Sequence, residues 1–210
     1  MILPPARSRV RGSGPPPGRA GYSVAEVVAV LAIAGAVAAL VAPGVSQLNG
    51  AMVMRSSASE VRAVLFEARA FAISRGRYVG VKFRRNANRY EWALYGDGNG
   101  NGIRNAEIAT GVDPPIGIAI QWSRNDVRPG ILTGSRVPDP GDPRKALDRL
   151  DDPIRFNSSD ICSFSPLGES TPGSIYLWDG RDRMAVVRVF GRTAKVRTLY
   201  YRRGGKEWKL

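Results

Sequence analysis

The chain contains no histidine and a single cysteine, Cys162, among 210 residues. Without histidine there is no Ser-His or Cys-His nucleophile pair and no histidine-containing metal site. One cysteine excludes an intramolecular disulfide, so cysteine usage gives no reading of the redox compartment. Lysines are few and none sits in a recognisable nucleophile motif, so no enzymatic role is expected. Acidic residues are also scarce, 18 against 31 Lys and Arg, for a formal charge of +13. A hydrophobic fraction of 43% nonetheless fits a globular chain with one modest core rather than disorder.

Charge is missing altogether from residues 27–54. That stretch exceeds the roughly 20 residues an α-helix needs to cross a bilayer. Glu26 stands alone at its head, and an ionised carboxylate in apolar surroundings persists only with a partner or a task. Before it, Arg7, Arg9, Arg11 and Arg19 with Pro4-Pro5 and Pro15-Pro16-Pro17 form a basic segment that has no apolar pattern to pack. Beyond residue 54 an apolar spacing of three and four continues at Val61, Val64, Leu65, Ala68, Phe71 and Ala72. Arg55, Glu60, Arg62, Glu67 and Arg69 occupy the other face, so one helix from about residue 23 to residue 74 is expected. A rival reading takes the apolar run as a signal peptide with Ala36-Val37-Ala38 as the cleavage site, against which Glu26 and the continuing helix both stand.

After Gly76 the period changes to that of strands. Residues 78–83 and 90–95 read as a hairpin, 116–122 as a third strand, and 161–164, 174–178, 184–190 and 194–201 as further strands divided by Pro, Gly and Asp turns. Residues 124–153 are dense in Pro, Gly and charge and read as a weakly ordered surface insertion, with one helical turn at most over 145–150.

The run Gly21-Tyr22-Ser23-Val24-Ala25-Glu26, followed by Val27-Val28-Ala29-Val30-Leu31-Ala32-Ile33, resembles the processing site and N-terminal helix of type IV prepilins and pseudopilins. The resemblance implies cleavage between Gly21 and Tyr22 by a prepilin peptidase and N-methylation of Tyr22. It also implies pairing of Glu26 with the terminal amine of a neighbouring subunit, and a helix bend at Pro43. Residues 90–107, Phe164-Ser165-Pro166-Leu167-Gly168, Pro172-Gly173, Ser174-Ile175-Tyr176 and residues 186–197 are similar to the GspH/FimT family of pseudopilins and minor pilins. The fold class so expected is α+β: a long N-terminal helix, transmembrane in its first half, packed on a C-terminal antiparallel sheet domain. Its parts would be a leader over 1–21, a transmembrane and filament-core helix over 22–48, an amphipathic continuation over 49–75 and a periplasmic β-rich domain over 76–210. The function implied is that of a minor pseudopilin of a type II secretion system at or near the tip of a pseudopilus, anchored by a single pass in the bacterial inner membrane. Its partners would be other pseudopilins or pilins, the prepilin peptidase and secreted cargo.

Two further segments have the composition of binding sites, and each also has a plainer explanation. Asp97, Asn99 and Asn101 have the ligand spacing of a calcium loop, but Glu107 falls one place early for the closing carboxylate. A Gly/Asn-rich connection that supplies positive φ explains the run without calcium, and no cofactor is expected. Residues 181–210 hold ten Lys or Arg against Asp182 and Glu207, interleaved with Tyr200, Tyr201 and Trp208. Such a tail can hold phosphates and stack bases. FimT-type minor pilins of type IV pili carry a Gly-Arg-x-Arg element, of which Gly191-Arg192 matches the first half while Ala194 replaces the second arginine. The resemblance therefore implies, as the alternative function, DNA capture through Arg192, Lys195, Arg197 and Arg202; the plainer explanation is a solvated strand face.

Overall fold

The computed structural model describes residues 21–86, 89–122 and 126–210, with the backbone alone described at 40–48. The leader over 1–20 and the side chain of Pro43 therefore lie outside the described residues. The chain divides into two compact units, Met1–Val45 and Ser46–Leu210.

Helix α1 covers Val24–Arg75. Its start is a capping box: the Ser23 hydroxyl accepts the Ala25 N–H at 3.1 Å while Glu26 Oε2 accepts the Ser23 N–H at 2.9 Å. Its end is a Schellman motif, with Gly76 at φ +62, the Arg77 N–H donated to the Ala72 carbonyl and the Gly76 N–H to that of Ile73. A side chain at Gly76 would be strained in this left-handed conformation, which is why the helix stops there.

The expectation of a transmembrane first half is corrected by the structure. Among the described residues no helix is long and apolar enough to cross a membrane. The described apolar run after Glu26, residues 27–39, rises about 20 Å at ~1.5 Å per residue, short of a hydrocarbon core of ~30 Å. The fold class as expected, the single-pass inner-membrane location and the periplasmic placement of the β-rich domain that followed from it are set aside with that span.

The second unit is built on two antiparallel sheets. β1 (Val79–Asn86) pairs β2 (Arg89–Gly96) and β6 (Ile161–Phe164), and β2 pairs the edge strand β3 (Pro115–Gln121), giving the order β3-β2-β1-β6. A short helix, α2 (Asn105–Thr110), lies between β2 and β3 in sequence. The second sheet runs β4 (Arg128–Pro129), β7 (Gly173–Trp178), β8 (Arg183–Phe190) and β9 (Lys195–Arg202), with β5 (Ile154–Phe156) also paired to β7.

One buried cluster joins Met54, Ala58, Val61, Leu65, Ala68 and Ala72 of α1 to Val79, Val81 and Phe83 of β1 and to Ile175, Leu177, Ala185, Val187 and Val189 of the second sheet. Phe83 stacks on Phe156 at 6.2 Å, and Trp92 meets Trp122 edge-on at 5.3 Å. Each fully buried Leu, Ile or Phe there contributes about 2 kcal/mol by leaving water. The strand alternation then assigns Tyr176, Met184, Val186 and Tyr201 to the other face of the second sheet. That face is covered by Ile131, Leu132, Val137 and Leu147, all buried, with Trp208 half-buried against it. The Pro- and Gly-rich insertion is therefore packed, not weakly ordered, because isolated apolar residues within it roof the sheet. No helical turn forms over 145–150; Leu147 lies in extended backbone, its N–H donated to the Val137 carbonyl at 2.8 Å.

Candidate functional site

In the first unit, every described side chain over residues 21–39 is exposed. Tyr22 is 88% exposed, and Val24, Val28, Val30, Leu31 and Ile33 lie between 59% and 82%. Exposed apolar surface of this continuity is more than the scattered single residues usual on a protein surface. Glu26 is the one charge within it, and its carboxylate is engaged by the Ser23 N–H of its own capping box. Gly21 and Tyr22 precede α1 in non-helical backbone, with nothing within 4 Å of the Cβ position of Gly21. Both residues are exposed.

In the second unit, the register of β8 and β9 gathers a basic cluster. Arg188 lies directly opposite Arg197, and Phe190 opposite Lys195. The 3-10 turn Gly191–Thr193 joins the strands and carries Arg192; Ala194 follows it at φ +47. Phe190, Arg192, Lys195 and Arg197 line a shallow hollow of about 440 Å³. The guanidinium groups of Arg188 and Arg197 sit 5.8 and 5.7 Å from the centre of the Phe190 ring. None of these four cations has a carboxylate within ion-pair distance among the described residues. Like charges directly opposite across two strands are destabilising, so an anion bound here would relieve a cost already present in the fold.

The structure thus brings Arg192, Lys195 and Arg197 together and leaves Arg202 apart. Arg202 lies at the far end of β9, about 23 Å along the strand at ~3.3 Å per residue. Its Nε donates to Asp182 Oδ2 at 2.8 Å, which neutralises it. Phe190 completes the hollow, with the Arg188 guanidinium beside its ring, and neither was singled out by sequence reasoning. Only the strand register identifies them, and that depends on which residues close the Gly191–Thr193 turn.

The loop after β2 closes on itself. Asp97 is 3% exposed; Oδ1 accepts the N–H groups of Gly100 at 2.7 Å and Asn99 at 3.1 Å, and Oδ2 accepts that of Gly102 at 2.8 Å. Burial alone would raise the Asp97 carboxyl, but these backbone donors outweigh it and hold the group below its ordinary value. Asn99 Oδ1 accepts the Asn101 N–H, and Asn101 Nδ2 donates to Glu107 Oε1 at 2.8 Å. Buried Asp113 accepts the N–H groups of Gly98 and Arg104. Both Asp97 oxygens, Asn99 Oδ1 and Glu107 Oε1 are thus turned onto the loop's own donors, while Glu107 Oε2 is buried with no hydrogen-bond partner among the described residues. Among the described residues no group of three or more acids and cysteines is placed to hold a metal. Cys162 is fully buried, and burial pushes its thiol far above the ordinary range, so it is no nucleophile.

Comparison with known proteins returns no matching family model, no matching curated protein and no matching solved structure. No family match therefore supports a pseudopilin or a secretion component.

Proposed function

We propose that the chain is a filament subunit that assembles through its N-terminal helix, as a minor pseudopilin of a type II secretion system would. The observation that supports this reading is the unbroken exposure of residues 21–39, large apolar side chains with Glu26 as their single charge. Side-by-side packing of such helices would bury that surface, at about 25 cal/mol per Å² removed from water. Once a prepilin peptidase cuts after Gly21, the new amine of Tyr22 supplies the cation that an apolar bundle lacks. Glu26 then exchanges one local hydrogen bond for an ion pair with the amine of a neighbour, in surroundings where an unpaired charge is strongly penalised. Other pilin-like subunits and a secreted cargo are the partners this role needs. Mass spectrometry of the full chain expressed with a prepilin peptidase tests it: a mature terminus at N-methylated Tyr22 is expected, and one at Ala39 overturns the reading.

A second reading is favoured by one specific observation, the four unpaired cations around Phe190. A polyanion fits such a hollow, its phosphates on Arg188, Arg192, Lys195 and Arg197 and an unstacked base on the phenyl ring. On that reading the subunit is a minor type IV pilin that captures DNA.

A further inference from the structure

Residues 49–73 of α1 carry a second stripe on the side turned away from the core. Met52, Ser56, Ser59, Ala63, Phe66, Ala70 and Ile73 follow one another at alternating steps of four and three, and every one is exposed. At ~100° per residue this stripe is centred on the opposite side of the helix from Met54, Ala58, Val61, Leu65 and Ala72, which are buried. Met52 is 66% exposed, Phe66 44% and Ile73 52%, large apolar groups that nothing in the unit covers. Steps of four and three over three heptads are the spacing of a coiled-coil seam, with Ser56, Ala63 and Ala70 at the first core position and Met52, Ser59, Phe66 and Ile73 at the second. The same phase holds in the exposed N-terminal segment at Val24, Val28, Leu31, Gly35 and Ala38.

The charges beside the seam select what covers it. Arg55 and Arg62 lie along one flank and Glu60 and Glu67 along the other, each arginine five residues before a glutamate. When two such helices run parallel and in register, the basic flank of each faces the acidic flank of the other, so Arg62 meets Glu67 of the second copy twice. Running antiparallel they would set Arg against Arg and Glu against Glu. Arg62 and Glu67 are exposed and have no ion-pair partner among the described residues. Arg62 already leans over the seam, 5.8 Å from the centre of the Phe66 ring. In a chain of net charge +13, self-association elsewhere is opposed by repulsion; this face is uncharged at its centre and self-complementary at its margins.

We infer that residues 52–73 form a parallel, in-register helix pair with a second copy of this chain, with Arg62–Glu67 ion pairs setting direction and register. This goes beyond assembly through residues 22–39, since it assigns an interface to the second unit. Full-length protein carrying Ala63→Cys is oxidised, and the disulfide-linked dimer is compared with that of Ala106→Cys on α2, which reports random collision. Ala63→Cys links in large excess, because in-register core positions face each other. Adding Arg62→Glu or Glu67→Arg weakens self-association roughly tenfold, since each removes two attractions and installs two repulsions per pair of chains. Combining the two restores it. Linking at residue 63 no better than at 106, or a double exchange no better than either single one, overturns the inference. Sedimentation of the peptidase-processed protein separates the two interfaces: filaments without linking at 63 leave the filament reading standing and remove this one, and linking at 63 without filaments removes only the filament reading.

Discussion

Replacing Arg192, Lys195 and Arg197 together by Ala gives the most informative test of the basic hollow, because the structure fixes how much should change. Four cations surround Phe190, and if each neutralises one phosphate of a duplex, log K falls against log salt with a slope of about −3.6, at ~0.9 per contact. Between about 50 and 200 mM salt that slope lowers affinity by roughly a hundredfold. The triple variant retains Arg188 alone, so its slope should be about −0.9 and the same change of salt should cost only about fourfold. Arg202→Ala is the internal control. Its guanidinium is neutralised by Asp182 and lies at the other end of β9, so the slope should stay at the wild-type value. Fluorescence anisotropy of a labelled duplex titrated with the full chain at several salt concentrations reads all three slopes. A triple variant as salt-dependent as the wild type, or an Arg202→Ala variant flattened as much as the triple, refutes the assignment of phosphate contacts to this hollow.

Asp97→Asn should destabilise the fold by about 2 kcal/mol, because charge-assisted bonds from three backbone N–H groups are weakened in a buried loop. The pH dependence follows from the lowered Asp97 value. A carboxyl lower in the folded than in the unfolded state contributes stability that is fully present above the unfolded value and is lost as pH falls through the folded one. Urea unfolding from pH 6 down to pH 2 should therefore show the wild type losing its advantage over Asp97→Asn below about pH 4; a constant difference across that range contradicts the role given to the charge. Cys162 should resist alkylation in native buffer at neutral pH and react only on unfolding, as followed by mass spectrometry; rapid labelling of the native chain would mean that its site opens.

Some of this was legible in residue order. The positions of β6 to β9 follow from apolar runs bounded by Pro, Gly and Asp, and Asp179-Gly180 and Gly191 do lie between strands; Pro172-Gly173 does not form the expected turn, since Gly173 opens β7 and the chain turns earlier, at Pro166-Leu167-Gly168. The apolar stripe at Val61, Val64, Leu65, Ala68 and Ala72 is buried at the spacing that announces it. The packed insertion was not legible, because Val127, Ile131, Leu132, Val137 and Leu147 have no period and stand among Pro, Gly and charge. Helix α2 escaped for a related reason: six residues with no buried side chain leave no apolar pattern to find. At Glu26, the Ser23-x-x-Glu26 spacing is a capping signature, but the sequence reading weighed only the carboxylate's role toward a neighbour. Phe190 joined the hollow, and Arg188 came beside its ring, only through cross-strand register, which a single residue more or fewer in the turn would reverse. The membrane span was read from an uncharged run counted across positions 40–48, whose side chains fall outside the described residues.

If the exposed N-terminal helix docks into a filament through the charge on Glu26, as proposed, Glu26→Gln isolates that charge. Glutamine at the third helical position still accepts the Ser23 N–H and keeps the capping box, but it has no charge with which to form an ion pair with a neighbour's amine. Sedimentation and electron microscopy of peptidase-processed protein should find wild-type chains in filaments and Glu26→Gln chains left in the supernatant, with thermal unfolding of the two unchanged. Filaments of Glu26→Gln as abundant as those of the wild type would contradict the account.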